Sequence, residues 1–333
     1  MALENKARRF GERERSHDPG DRVVVMKDGR AGDTVRGKNM MDPEARPLHP
    51  LFAAEVTGVD LRQPPDERLV AWIDAAMDRY AVLVLPDQRI DDDQQLAFAK
   101  ALGPLEPTPA VVDAGLQRLK HREMVDISNL EVDGSILAAD DRRRMFNLGN
   151  QLWHTDSSFK ATPAKHSMLH ARAIPPQGGE TEFADMRAAW DALPEATKTL
   201  IEPLVCDHSL VYSRALLGFD AFTEEERQLF APVPQRLVRR HMGSGRRSIF
   251  LASHIGGIHG WPRPEAMALV RDLTEHATQR EFVYRHTWRK HDLVIWDNRC
   301  TMHRGRSYDD KRYQRDMRRL TLRDCAPTLE QPA

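Results

Sequence analysis

Apolar and polar positions change period several times along this chain, and each change marks an element. Over residues 66–80, Leu69, Ile73, Ala76, Met77 and Tyr80 recur at helical spacing, which predicts a helix with one apolar face. Residues 81–85 are a short apolar run closed by Pro86 and read as a buried strand. Residues 91–102 open with three aspartates suited to capping and to the helix dipole. They continue as an amphipathic helix that stops at Gly103-Pro104. Further on, strand-like runs at 125–130, 167–173, 281–288, 292–297 and 317–322 alternate with helical patterns at 186–202, 223–230 and 264–278. Thr223 and Glu226 have the spacing of a capping box. Short strands with turn signals, dense in the second half, predict a mainly β protein with peripheral helices around a two-layered core.

Two stretches fall outside this pattern. Residues 1–45 are rich in Arg, Lys, Asp and Gly and hold no sustained period, so they read as an extension with too little apolar surface to offset its ordering entropy. Residues 46–325 read as a single domain and 326–333 as a tail. Between 104 and 150 lie long polar connections, and part of that length is expected to act as a lid. Composition narrows the class. The 333 residues are 41% hydrophobic and 30% charged with a net charge of −1, which gives no field suited to nucleic acid or an anionic membrane. No apolar run reaches the roughly 18 residues of a membrane span. Three cysteines without metal-type spacing fit free thiols in a reducing cytoplasm. The oligomeric state, a homo-oligomer included, is left open by the sequence.

Candidate chemistry centres on Trp153-His154-Thr155-Asp156. Side chains two apart on an extended backbone leave on one face, roughly 7 Å apart, and can converge on one ion where a strand ends. His303, which closes a β-like run far downstream, would complete two histidines and one carboxylate, the facial triad of non-haem Fe(II) oxygenases. In Gln314-Arg315-Asp316-Met317-Arg318-Arg319-Leu320-Thr321-Leu322, alternation sets Arg315, Met317, Arg319 and Thr321 on one face. Two guanidinium groups there could each clamp a carboxylate; the competing reading is a solvated basic strand. His166, His170 and His286 lie on strand-like segments and read as packed structural residues, and Gly243-Ser244-Gly245-Arg246 lacks the context of a phosphate loop.

Together with Asp126-Ile127-Ser128-Asn129, Gly178-Gly179-Glu180-Thr181-Glu182-Phe183 and Trp296-Asp297-Asn298-Arg299-Cys300-Thr301-Met302-His303, these residues resemble, in order over about 46–325, the taurine dioxygenase family of Fe(II)/2-oxoglutarate-dependent dioxygenases. Within it the chain is similar to the 2,4-dichlorophenoxyacetate dioxygenase branch. The resemblance implies a double-stranded β-helix, a jelly-roll (cupin-like) core. It implies Fe(II) held by His154, Asp156 and His303, with 2-oxoglutarate as cosubstrate and O2 as oxidant. It implies that Arg315 binds the distal carboxylate of 2-oxoglutarate with help from Thr181, that Arg319 holds the anionic group of a small organic substrate, and that Lys120 assists there. The gap from His303 to Arg315 is one residue longer than usual in the family, which makes Arg312 the alternative to Arg315. Val111 stands where the branch has a second lysine. The implied reaction is oxidative cleavage of an aryloxyacetate to a phenol and glyoxylate, with 2-aryloxypropionates, alkyl sulfates and sulfonates as alternatives. Two other classes compete: a zinc hydrolase on the same ligands, and a non-catalytic jelly-roll ligand-binding protein.

Overall fold

The computed structural model describes residues 42–106 and 118–332. Most of the N-terminal extension, and Val111, lie outside the described residues. Strand β1 (Glu44–Pro47) pairs with β2 (Ala54–Thr57), so ordered pairing starts two residues inside the stretch assigned to the extension. Helix α1 (Glu67–Tyr80) starts where Asp66 accepts a bond from the Leu69 amide, and it buries Leu69, Ile73, Ala76 and Met77. Then come β3 (Val82–Leu85), fully buried, and α2 (Asp92–Leu102), which opens with a capping box between Asp91 and Gln94.

The next elements are β4 (Val125–Ser128), α3 (Arg142–Asn147), β5 (Ala164–Ala173) and β6 (Thr181–Asp185). The helical pattern at 186–202 is two short helices, α4 (Met186–Asp191) and α5 (Glu195–Ile201), because Pro194 interrupts it. Strand β7 (Val205–His208) precedes α6 (Leu210–Ala215) and α7 (Glu224–Leu229), whose Thr223–Glu226 capping box is formed. The chain continues through β8 (Val233–Arg236), β9 (Val238–Arg240), β10 (Arg247–Ile249) and β11 (Ile255–Ile258) to α8 (Arg263–Ala277). It ends with β12 (Val283–His286), β13 (Leu293–Asp297), β14 (Thr301–Gly305) and β15 (Asp316–Arg323).

One sheet has the order β1-β2-β3-β13-β5-β15-β4, antiparallel except for β2 against β3. A second, β12-β6-β14, forms the other wall of the jelly roll. Strand alternation sorts the large sheet's side chains into two layers. Leu83, Leu85, Leu293, Ile295, Leu320 and Leu322 face outward, where α1 and α2 cover them. Val82, Val84, Val294, Trp296 and Met317 face inward and meet Phe183 of β6. Ser167 on β5, His303 on β14 and Arg319 on β15 each reach toward Asp156.

The C-terminal tail is not loose. Thr328 donates its hydroxyl to Gln235 and accepts the amide of Arg236, while Gln331 bonds to Asp324. Among the described residues no helix is long and apolar enough to cross a membrane.

Candidate active site

His154 follows a short 3-10 turn, 148–151, and makes an isolated bridge with His303 on β14: each amide donates to the other's carbonyl, at 3.0 and 2.8 Å. That bridge, between residues 149 apart in the sequence, brings the two imidazoles together, tilted by 48° with centroids 4.2 Å apart. Nδ1 of His154 bonds the Leu152 carbonyl at 2.7 Å and must therefore carry the proton there, leaving Nε2 unprotonated. That Nε2 lies 3.7 Å from one oxygen of Asp156, and Nε2 of His303 lies 3.7 Å from the other. The three potential ligand atoms are all within 4.8 Å of one another and all three residues are buried.

Asp156 is held from several directions. Its Oδ1 accepts from Nη1 of Arg319 and its Oδ2 from the Ser167 hydroxyl, both at 2.8 Å. Ser167 accepts in turn from the amide of Asn298, whose carbonyl takes the Asp156 backbone amide and the indole of Trp296. The next residue, Ser157, has φ 54°, a left-handed value rare outside glycine, and its hydroxyl reaches Glu106 at 2.7 Å. Burial by itself would raise the Asp156 carboxyl, but Arg319 and the two imidazoles hold it well below the usual carboxylate range. Burial pushes His154 down, and burial with the neighbouring His154 pushes His303 down to about 3. Two neutral imidazoles beside one carboxylate at neutral pH form a donor set that fits a divalent first-row metal and requires no deprotonation to bind it.

Two cavities meet at Arg319. The smaller, about 120 Å³, is lined by His154, His303, Thr181, Leu169, Trp296, Arg315 and Arg319. Thr181 is buried and its hydroxyl accepts the indole N–H of Trp288 at 3.0 Å. Burial lowers the Arg315 guanidinium from its usual value, and among the described residues no carboxylate pairs with it. A half-buried, unpaired guanidinium lining the cavity beside a metal-ligand set is suited to a carboxylate ligand. Arg312, the alternative, is exposed and stacks on Tyr313 instead. The larger cavity, about 260 Å³, has Leu119, Met124, Phe146, Phe159, Leu210 and Phe230 on its wall beside charged side chains that include Glu106, Arg118, Asp126, Arg142 and Arg143, and it reaches Arg319 and Thr321.

Of the residues expected from sequence, His154, Asp156, His303, Thr181, Arg315 and Arg319 are brought together. Lys120 is not. Its side chain is 76% exposed with Nζ 3.5 Å from Asp93, so it turns to solvent and an acidic partner; its neighbours Leu119 and His121 line the cavity instead. Arg319 lies nearer the metal ligands than a pure substrate clamp would, since it already pairs with Asp156. Ser167, Asn298 and the phenylalanine wall went unread in the sequence. Asn298 stands inside the motif that contains His303, but nothing in an amide side chain says which buried carboxylate network it completes.

Comparison with known proteins agrees with this geometry. Residues 44–321 match the family described as taurine catabolism dioxygenase TauD, TfdA family. The chain is 47% identical over 286 residues to an alpha-ketoglutarate-dependent 2,4-dichlorophenoxyacetate dioxygenase of Cupriavidus pinatubonensis, covering 86% of this chain and 99% of that one. It is 38% identical over 273 residues to an (S)-phenoxypropionate/alpha-ketoglutarate-dioxygenase of Sphingobium herbicidovorans, covering 79% and 89% respectively. Among solved structures, AAD-2 in complex with Mn(II) and N-oxalylglycine superposes with a TM-score of 0.80 at 52% identity, over 87% of this chain and all of that one. The chain therefore belongs to the TauD/TfdA dioxygenase family and is an Fe(II)- and 2-oxoglutarate-dependent dioxygenase.

Proposed function

We propose that this enzyme oxidises a small anionic aryl ether, foremost an aryloxyacetate such as 2,4-dichlorophenoxyacetate, at the carbon beside the ether oxygen. The product is a hemiacetal, which collapses to a phenol and glyoxylate while 2-oxoglutarate yields succinate and CO2. The observation that carries this reading is the larger cavity: an aromatic and aliphatic wall that ends at the guanidinium of Arg319, next to the His-Asp-His set. An aryl ring suits the wall and a carboxylate suits the arginine. The substrate named for the Cupriavidus relative has both parts.

In this assignment His154, Asp156 and His303 would hold Fe(II), which with 2-oxoglutarate and O2 would supply the oxidation of the C–H bond beside the ether oxygen. The chain's own residues do the rest. Leu152, Ser167 and Asn298 fix the orientation of the ligands before the metal binds. Arg315, with Thr181, receives the distal carboxylate of 2-oxoglutarate, and Arg319 receives the carboxylate of the substrate. The substrate's reacting carbon is then held near the metal ligands, which is where positioning lowers the barrier.

The test is a product balance. Incubation with Fe(II), 2-oxoglutarate and 2,4-dichlorophenoxyacetate is expected to give the phenol, glyoxylate and succinate in equal amounts. Succinate at the same rate with and without the aryloxyacetate, and no phenol, would sink the substrate assignment. The same assay with a 2-aryloxypropionate, an alkyl sulfate and a sulfonate ranks the alternatives.

A further inference from the structure

Five arginines are buried among the described residues, and four of them have an aspartate. Arg187 pairs with Asp185, Arg239 with Asp324, Arg299 with Asp297 and Arg318 with Asp316. The fifth, Arg214 on α6, is only 6% exposed and no described carboxylate forms an ion pair with it. Its Nη1 donates to the Ser213 hydroxyl at 3.3 Å, and its Nε has no partner among the described residues. The guanidinium sits over the ring of Phe146, 4.5 Å from the centroid. It is also seated against the backbone of Gly149, where any side chain would collide with it. The acid that acts on it electrostatically is Asp156, which Arg319 and Ser167 already occupy.

A buried charge without a partner is costly, and chains keep one where something else is gained. The position says what that is. Leu210 and Arg214 are four apart on α6 and so share a face. Leu210 and Phe146 both line the larger cavity, and Gly149 is in the turn that leads to His154. Arg214 also acts electrostatically on His154 and Arg319. Burial pulls its guanidinium down to about 10, still charged at neutral pH.

We propose that Arg214 is a specificity-determining residue of the substrate cavity: from behind the wall that Leu210 and Phe146 form, it adds to Arg319 at the cavity surface a second positive charge that selects substrates by their anionic group. The proposal rests on the larger cavity being the substrate site. In a low-dielectric pocket a second fixed positive charge raises the affinity for an anion without touching the metal or 2-oxoglutarate. It also explains why Arg319 can remain on Asp156: the incoming anion shares one guanidinium and neutralises the other.

The test uses the metal-loaded full chain and two variants, Arg214→Met, which keeps length and loses charge, and Arg214→Lys, which restores charge. The probes are 2,4-dichlorophenoxyacetate and its primary amide. Arg214→Met is expected to melt no lower than wild type, because a costly charge has gone. Its KM for the acid is expected to rise roughly tenfold to a hundredfold, the range of a lost interaction between close charges in a poorly solvated site. The KM for the amide and for 2-oxoglutarate should stay within about twofold, and Arg214→Lys should recover part of the acid-over-amide preference. An unchanged acid-over-amide ratio in Arg214→Met overturns the proposal. So does a variant that unfolds or melts well below wild type, since Arg214 would then be a packing residue; Arg214→Gln repeats that judgement with a polar side chain. Failure of wild type to oxidise the acid would instead refute the aryloxyacetate assignment. The anion-over-neutral comparison would then be made with hexyl sulfate against hexanol, where persistence of the preference in Arg214→Met overturns the proposal and its loss sustains it.

Discussion

The two cavities that meet at Arg319 are built differently. The smaller takes one wall from the ladder strands of the jelly roll, Leu169 on β5, Thr181 on β6, Trp296 on β13 and His303 on β14, and the other from the 144–151 segment and the loop at 306–310. Each of those side chains is aimed by strand pairing on both sides, so its position follows from backbone hydrogen bonds. The larger takes its walls from α3, α6 and the segment before β4, with Phe159 and Phe230 closing it. Those pieces are short and rest on an aromatic cluster of Leu210, Phe219, Phe222 and Phe230. Chemistry common to many substrates is placed on the rigid scaffold, and the choice of substrate is left to connections that can vary.

This division can be broken by mutation, with the largest effect expected in the shared centre. Asp156→Ala removes the carboxylate around which the two imidazoles, Arg319 and Ser167 are arranged. Succinate formation should fall to background with every substrate, while a cooperative melt is kept because the residue lies beside a cavity rather than inside the packed core. Retained turnover would refute the metal-ligand assignment.

Asn298→Ala should act on the scaffold side more moderately. It leaves the Trp296 indole, the Asp156 amide and the Ser167 hydroxyl without their partner, and each buried unsatisfied group costs about 1–3 kcal/mol. A lower Tm is expected, together with a drop in kcat for all substrates alike. A drop confined to one substrate would place Asn298 in the substrate cavity instead. The smallest effect belongs to Lys120→Ala. An exposed pair with Asp93 contributes little. KM for an aryloxyacetate should change by less than about twofold, and a larger rise would mean that Lys120 swings inward when substrate binds.

The same division explains what could be read from the sequence. Period-2 alternation in 317–322 placed Leu320 and Leu322 on one face and Met317 and Arg319 on the other, and the structure keeps that sorting because both faces are buried against different layers. His154, Asp156 and His303 were legible because a metal set needs particular residue types at the ends of particular strands. The substrate wall was not. Phe146, Phe159, Leu210 and Phe230 are ordinary apolar residues scattered over 85 positions, and only the tertiary fold makes them neighbours. Lys120 was placed by resemblance, in a segment whose side-chain directions no ladder fixes. Arg214 lies between the helical patterns at 186–202 and 223–230, in a stretch that carries no period of its own; its meaning comes from an absent partner, which no local pattern can show.

That Arg315 binds 2-oxoglutarate while Arg319 binds the substrate carboxylate is tested most directly by measuring both KM values in Arg315→Ala and Arg319→Ala. Arg315→Ala should raise the KM for 2-oxoglutarate by roughly 30-fold to several-thousand-fold, as loss of a buried charge pair costs about 2–5 kcal/mol. Arg319→Ala should raise the KM for the aryloxyacetate far more than that for 2-oxoglutarate, with some loss of turnover because Asp156 loses its partner. Equal damage to both KM values by either substitution would contradict the claim, and would mean that the two cavities bind their ligands as one.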